Sequence, residues 1–251
     1  MALTTDQITL CNQALGYIGE FEVEAGKTAE KQYVLCERYL ESTIKSVLAG
    51  HPWNEAKYRV WIPENKTAVR FGYDHIFTLP TDCVRVLRLN NGENDYDHWE
   101  CERGSILTNI ASRGRGYSDE TDYFVGEYIE YEDVTYSVDT SFTATGEFTD
   151  DAEAYMTSLT EDYAVLLLEY IRYDSSDITT YSQPLTDAIA QQLAIRVATG
   201  LTNDPKTKVD LLNEFERLTL PRARSVDGQQ GRVRPFFKSR WWRSRTGNWS
   251  Y

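Results

Sequence analysis

The run YDHIFTLPTDCVRVLRLN, residues 73–90, constrains the fold more than any other part of the chain. Two extended segments meet at Leu79-Pro80-Thr81-Asp82. Pro80 has a fixed φ and no N–H, so a ladder stops there, and Thr81 and Asp82 suit a turn. Upstream, Val69, Phe71, Tyr73, Phe77 and Leu79 hold odd positions, interrupted only by His75, with Arg70, Gly72, Asp74 and Thr78 between them. That two-residue period predicts a half-buried strand. Downstream, Cys83, Val84, Val86, Leu87 and Leu89 are apolar on both faces, with Arg85 and Arg88 one on each. This predicts a strand covered on both sides, a cover that a neighbouring subunit could supply, and makes Arg85 and Arg88 candidate subunit contacts.

Helical patterns flank these strands. Thr4 and Gln7 fit a capping box, Ile8, Cys11, Leu15 and Ile18 share a face, and Gly19 is a stop. After an acidic connector, Thr28 is expected to cap a helix to Leu48, ended by Gly50-His51-Pro52-Trp53; the two helices read as an antiparallel hairpin. Near the other end, Ser182-Gln183-Pro184 opens a helix through Ile189, Leu193 and Val197 that Gly200 can close. Asp204-Pro205 starts another through Val209, Leu212, Phe215 and Leu218, limited by Pro221. Between them, Tyr58-Arg59-Val60-Trp61-Ile62 reads as a strand before Pro63, Asn90-Asn91-Gly92 as a turn, and residues 98–110 as two strands around Arg103-Gly104. The apolar run 164–173 reads as a central strand, although its pattern also fits a short helix. The order predicts an α+β fold: a helical bundle from residues 1–54 and 182–227, an inserted antiparallel β domain, 55–181, and an extended C-terminal tail, 228–251.

Charge is divided unevenly. The chain carries −13, yet residues 221–251 hold seven Arg and one Lys against Asp227 alone, a balance of +7 that leaves −20 on the other 220 residues. Residues 119–162 contain fourteen Asp or Glu and no Lys or Arg, interleaved with Tyr123, Phe124, Tyr128, Tyr131, Tyr136, Phe142 and Phe148. That mixture is too aromatic for simple disorder, so 111–162 reads as a β-rich acidic insertion entered through a flexible basic loop, Ser112-Arg113-Gly114-Arg115-Gly116. The tail interleaves Arg232, Arg234, Lys238, Arg240, Arg243 and Arg245 with Phe236, Phe237, Trp241, Trp242, Trp249 and Tyr251. Arginine and large aromatics dominate protein–protein hot spots, which makes these the candidate partner-binding residues. They also suit single-stranded nucleic acid, but an acidic body repels DNA and instead complements the basic tails of neighbouring copies.

The chemistry that the sequence excludes is equally informative. At 251 residues the chain can bury a proper core, and no apolar run approaches 18 residues, so no membrane span is expected. The start MALTTDQITL has neither a basic nor an apolar leader region. Cys11, Cys36, Cys83 and Cys101 are widely spaced and form no C-x-x-C pair, so reduced, mostly buried thiols are expected and no metal or redox site. No phosphate loop, nucleophile elbow or H-E-x-x-H occurs, and His51, His75 and His98 sit in unrelated contexts. Carboxylates are so abundant that nothing singles out a glycosidase-like pair. No catalytic residue, cofactor or metal ligand is assigned, and the chain reads as a non-enzyme.

Several segments resemble the tail tubular protein A family, the head-to-tail adaptors of short-tailed bacteriophages. They are Asn12-Gln13-Ala14-Leu15 with Ile18-Gly19-Glu20, His51-Pro52-Trp53-Asn54, and above all 73–89, similar to an aromatic-x-Leu-Pro-x-Asp-Cys-x-Arg-Val pattern. Residues 168–173 and the alanine-rich 187–199 resemble later family segments; together these cover about two-thirds of the chain. The acidic insertion lies outside the compact family pattern and the aromatic tail has no counterpart in it. The resemblance implies a structural, non-catalytic virion tail component assembled in the host cytoplasm. It implies a ring of identical subunits, typically dodecameric, joining the portal protein to the tail nozzle protein around a channel through which genome DNA passes without specific binding. A tail-borne cell-wall glycan hydrolase is the alternative from another class.

Overall fold

The computed structural model describes residues 3–66, 72–89, 99–159, 164–202 and 204–230. It is a mixed α+β structure with several antiparallel sheets. Helix α1 (Thr5–Ile18) begins where the local chemistry dictates: Gln7 N–H donates to Thr4 Oγ1, Thr4 N–H donates back to Gln7 Oε1 at 3.0 Å, and Gly19 closes the helix at φ 70°. Helix α2 (Lys31–Ala49) starts later than Thr28 suggests. Residues 27–30 form a turn instead, with Glu30 N–H on Lys27 O and the Lys27 ammonium between Glu24 and Glu30.

Helices α1 and α2 touch each other little; both lie against α4 (Gln183–Thr202). The two helices of the expected hairpin meet at the buried Cys11 and Cys36, and a third helix supplies most of the packing for both. Ala188, Ala190, Ala194 and Ala198 are all buried, and such small side chains let neighbours approach α4 closely. Gly200 does not end α4. A Cβ there would stand 3.2 Å from Leu35 Cδ1, so its bare backbone serves the contact with α2. Helix α5 (Pro205–Glu214) is capped as expected, Asp204 Oδ1 accepting from Lys206 N–H at 2.9 Å. Pro221 does not stop the chain either. A π turn, Phe215–Thr219, precedes it, and the helix resumes as α6 (Leu220–Gln230). Proline cannot donate to the preceding turn, and the wider π turn accommodates the break. Gly228 thus lies within α6, inside the span assigned to the tail.

The strand over 164–173 is confirmed as β12 (Val165–Arg172), central between β1 (Lys57–Pro63) and β3 (Cys83–Leu89), both antiparallel to it. β3 is an edge strand whose two sides are both covered from within the chain. Val84 and Leu87 pack on the helical core around Leu40, Ile44 and Leu193, while Cys83 and Val86 pack on a second core with Phe77, Leu166 and Tyr170. No neighbouring subunit is needed as a cover. The ladder between β3 and β12 carries two register shifts. They place Arg88 opposite Glu169 and Arg85 opposite Ile171, which are two residues apart, so both arginines share one face instead of opposing ones.

A second sheet has the order β2 (His75–Thr78), β5 (Ser105–Thr108), β4 (Trp99–Glu102). Arg103 and Gly104, at φ 47° and 78°, make the expected turn. Ile76 and Phe77 are both buried, so β2 is covered on both sides instead of half-buried. The upstream part of that strand (Val69, Arg70, Phe71), the turn Asn90-Asn91-Gly92 and His98 lie outside the described residues.

The insertion has its own small core of Tyr123, Ile129, Val138, Ala144 and Phe148. Its strands are β6 (Arg115–Gly116), β7 (Asp122–Tyr123), β8 (Tyr128–Tyr131), β9 (Val134–Val138), β10 (Phe142–Thr143) and β11 (Met156–Ser158). A helix, α3 (Phe148–Tyr155), falls where only strands were expected. Its Asp151 is buried and accepts from Tyr117 O–H at 2.6 Å and from Thr145 N–H and O–H. The basic run 112–116 is not loose: Ser112 bridges to Val165, and β6 pairs with β8. Gly114 sits at φ +127°, and a Cβ there would fall 2.5 Å from Tyr128 O. Gly114→Ala is therefore expected to cost about 3 kcal/mol or more in backbone strain and overpacking. Hydrogen exchange should show β6 and β8 losing protection while α4 keeps it; unchanged exchange in β8 would contradict this.

Candidate functional site

Helix α6 ends at Gln230, and a set of polar contacts fixes its last turn. His51 Nε2 lies 3.0 Å from Asp227 Oδ2, Asn54 N–H donates to Asp227 Oδ1 at 2.7 Å, and Asn54 Nδ2 donates to Asp227 O at 2.8 Å. Trp53, almost fully buried, donates its indole N–H to Val47 O and meets the His51 ring edge-on at 4.7 Å. Arg224 adds a contact to Gly50 O at 3.3 Å. The segment His51-Pro52-Trp53-Asn54 is thus a clasp that holds a buried carboxylate one turn before the tail. The candidate residues Arg232, Arg234, Phe236, Phe237, Arg240, Trp241, Trp242, Arg243, Arg245 and Trp249 lie outside the described residues.

The other two candidates, Arg85 and Arg88, make bonds within the chain. Arg59, Glu169 and Arg88 stand in register across β1, β12 and β3. Arg88 donates from Nε and Nη2 to Glu169 Oε1, and Arg59 Nε donates to Oε2 at 2.9 Å. Arg85 Nη1 donates to Ala49 O at the end of α2. Asp82 of the Leu-Pro-Thr-Asp-Cys turn is bound likewise: Tyr170 O–H donates to it at 3.0 Å, and Arg172 pairs with it. The segments that carry the family resemblance therefore do scaffold work here, tying strands and helices to one another.

Burial opposes ionisation of Glu169, but hydrogen bonds and charge from Arg88 and Arg59 outweigh it and hold the carboxyl below the ordinary Glu value. The depressed folded value makes this stability complete above the unfolded pKa of about 4.3 and lost as pH falls through the folded one. Glu169→Gln is expected to cost about 2 kcal/mol at neutral pH, since Arg88 is left half-buried without its counter-charge. The variant should then lose less further stability than the intact chain between pH 7 and pH 3. Urea midpoints that fall equally in both would contradict the assignment.

Several large apolar side chains of α5 and the π turn after it are exposed. Val209, Leu212, Phe215 and Leu218 mark this helix in the sequence, yet of the four only Phe215, beside Leu211, is buried. Val209 is 55% exposed and Leu218 65%, and Phe21 in the α1–α2 connector is 86% exposed. The i, i+4 pair Leu211 and Phe215 carries the true phase, and the π turn rotates Leu218 away from it. Between β1 and the insertion lies a cleft of about 720 Å³. Among the described residues, no three His, Cys, Asp or Glu are grouped to hold a metal, and no helix is long and apolar enough to cross a membrane. Compared with models of known protein families and with curated proteins, the chain finds no match.

Proposed function

We propose that this protein is a structural head-to-tail adaptor of a short-tailed phage, forming a ring, of twelve copies by the resemblance, that joins portal to tail nozzle around the DNA channel. In this reading the helices from both chain ends form a bundle that serves as the ring wall. The β domain meets the next tail component, and the basic aromatic tail docks onto portal or a neighbouring copy. The observation that carries it is the exposure of three large apolar side chains, Val209, Leu212 and Leu218, on the helices that lead to the clasped root of the tail. A monomer gains nothing from large apolar side chains in water, whereas a ring subunit has lateral faces to cover. Negative-stain images of the protein mixed with portal test it: rings capping portal are expected, and a monodisperse monomer leaving portal bare overturns it.

Within the tail, Trp241→Ala with Trp242→Ala is expected to weaken portal binding by about 2 kcal/mol or more, against under ~1 kcal/mol for Lys238→Ala. Equal losses in a binding titration would contradict the assignment of the aromatics as anchors.

A further inference from the structure

The reading above leaves open what receives the tail, and three features unused by it meet at one place. β1 is the outer strand of its sheet: β12 pairs with one edge, and among the described residues no strand pairs with the other. The cleft is lined by Tyr58, Arg59, Val60 and Trp61 of β1 and Leu167 of the central strand, and across from them by Arg115, Val125 and Glu127 of the insertion. Leu167, paired with Trp61, places the cleft over the face of the sheet, and the four β1 residues carry it out to the sheet's outer strand. An open edge with exposed aromatics invites another chain unless it is blocked. Tyr58 is 44% exposed, and β1 has no bulge and only a terminal proline, Pro63.

We infer that this edge accepts residues 231–251 of an adjacent copy as an added strand. The inference rests on the ring reading and specifies the tail's receptor. Length permits it: 21 residues span up to about 70 Å extended, while the edge of β1 is about 23 Å long. Chemistry favours it. Tyr58, Val60, Trp61 and Val125 offer apolar and aromatic surface to Phe236, Phe237, Trp241 and Trp242, and aromatic cross-strand pairs are among the stronger ones. The charges in the cleft are largely occupied: Arg59 is bound to Glu169, and Arg115 lies over the Tyr123 ring. Around Glu127, residues 119–159 carry twelve carboxylates and no cation, Asp151 alone of them buried, which complements a tail segment with six cations and no acid. The adjacent copy suits the geometry better than the same chain. The tail departs near the Lys57 end of β1, because Asp227 binds Asn54 and Asn54 binds Lys57. All pairings in this sheet are antiparallel, so a chain adding to its own β1 in that sense must first run the length of the edge and turn back.

The test uses full-length protein with a photo-crosslinking amino acid at position 58, assembled from equal amounts of ordinary and 15N-labelled chains. Mass spectrometry is expected to find links from position 58 to peptides within 231–251, about half of them joining a labelled chain to an unlabelled one. The paired substitution of Trp241 and Trp242 by Ala should lower that yield at least fivefold. Rings without such links, or links confined to single chains, overturn the inference and leave the ring standing. A monomer by light scattering, with no inter-chain links, overturns both.

Discussion

A chain ending at Gln230 keeps the unfolding midpoint of the intact protein and loses portal attachment, by about a hundredfold or more in affinity, because a ring whose copies are no longer tied by their tails does not hold portal. The cut matters to within one turn. Ending the chain at Asp227 would remove three residues of α6 beside the buried carboxylate, and a fold defect would then be mistaken for a lost contact. After Gln230 the clasp is intact, so any loss belongs to the tail. Removing several arginine and tryptophan anchors together costs more than any one of them, each hot spot being worth 2 kcal/mol or more. Co-sedimentation with portal at several protein concentrations measures it. Normal attachment by the shortened chain would remove the tail from the proposed mechanism and leave the exposed helical side chains to carry assembly.

The second large effect is at Asp227. Its carboxylate is buried and serves the Asn54 N–H and the His51 ring together, so Asp227→Ala leaves a buried donor unsatisfied and unties α6 from the end of α2. Hydrogen bonds to a charged acceptor are worth about 1.5–3 kcal/mol each, which puts the expected cost at about 3 kcal/mol. Asp227→Asn keeps one acceptor oxygen and should cost about half as much. Urea unfolding gives the total, and limited trypsin digestion locates it: Arg222 and Arg224 should become cleavable in the Ala variant before any site in α4. Simultaneous cleavage throughout the chain would show that α6 is not separately held.

Much of the secondary structure could be read from the chain because its causes are local. Thr4 with Gln7, Asp204 with Pro205, and Arg103 with Gly104 act within a few residues of themselves, and each stands as expected. The apolar density of 164–173 was enough to mark the central strand, since a strand buried on both faces needs no alternation. What escaped depends on distant partners. Asp227 and Asn54 are 173 residues apart in sequence, and nothing near either announces the other. Gly200 and Pro221 look like stops because in isolation they are; Leu35 packed on one and a π turn ahead of the other change their meaning. The candidate site divides the same way. The division of charge was visible in composition, whereas the bonding of Arg88 and Arg85 within the chain required a fold to bring Glu169 and Ala49 to them.

The two bulges of β3 have a consequence for how that strand tolerates change. With a residue added at each, the strand repeats every three positions and not every two: Cys83, Val86 and Leu89 belong to one core or its margin, Val84 and Leu87 to the other, and Arg85 and Arg88 to a polar row. It behaves as a three-sided rod in a structure built from two-sided ribbons. Substitution tolerance scanned along 83–89 should therefore rise and fall with period three, and a deletion of one residue should be far worse than any replacement, because it rotates all three sides at once.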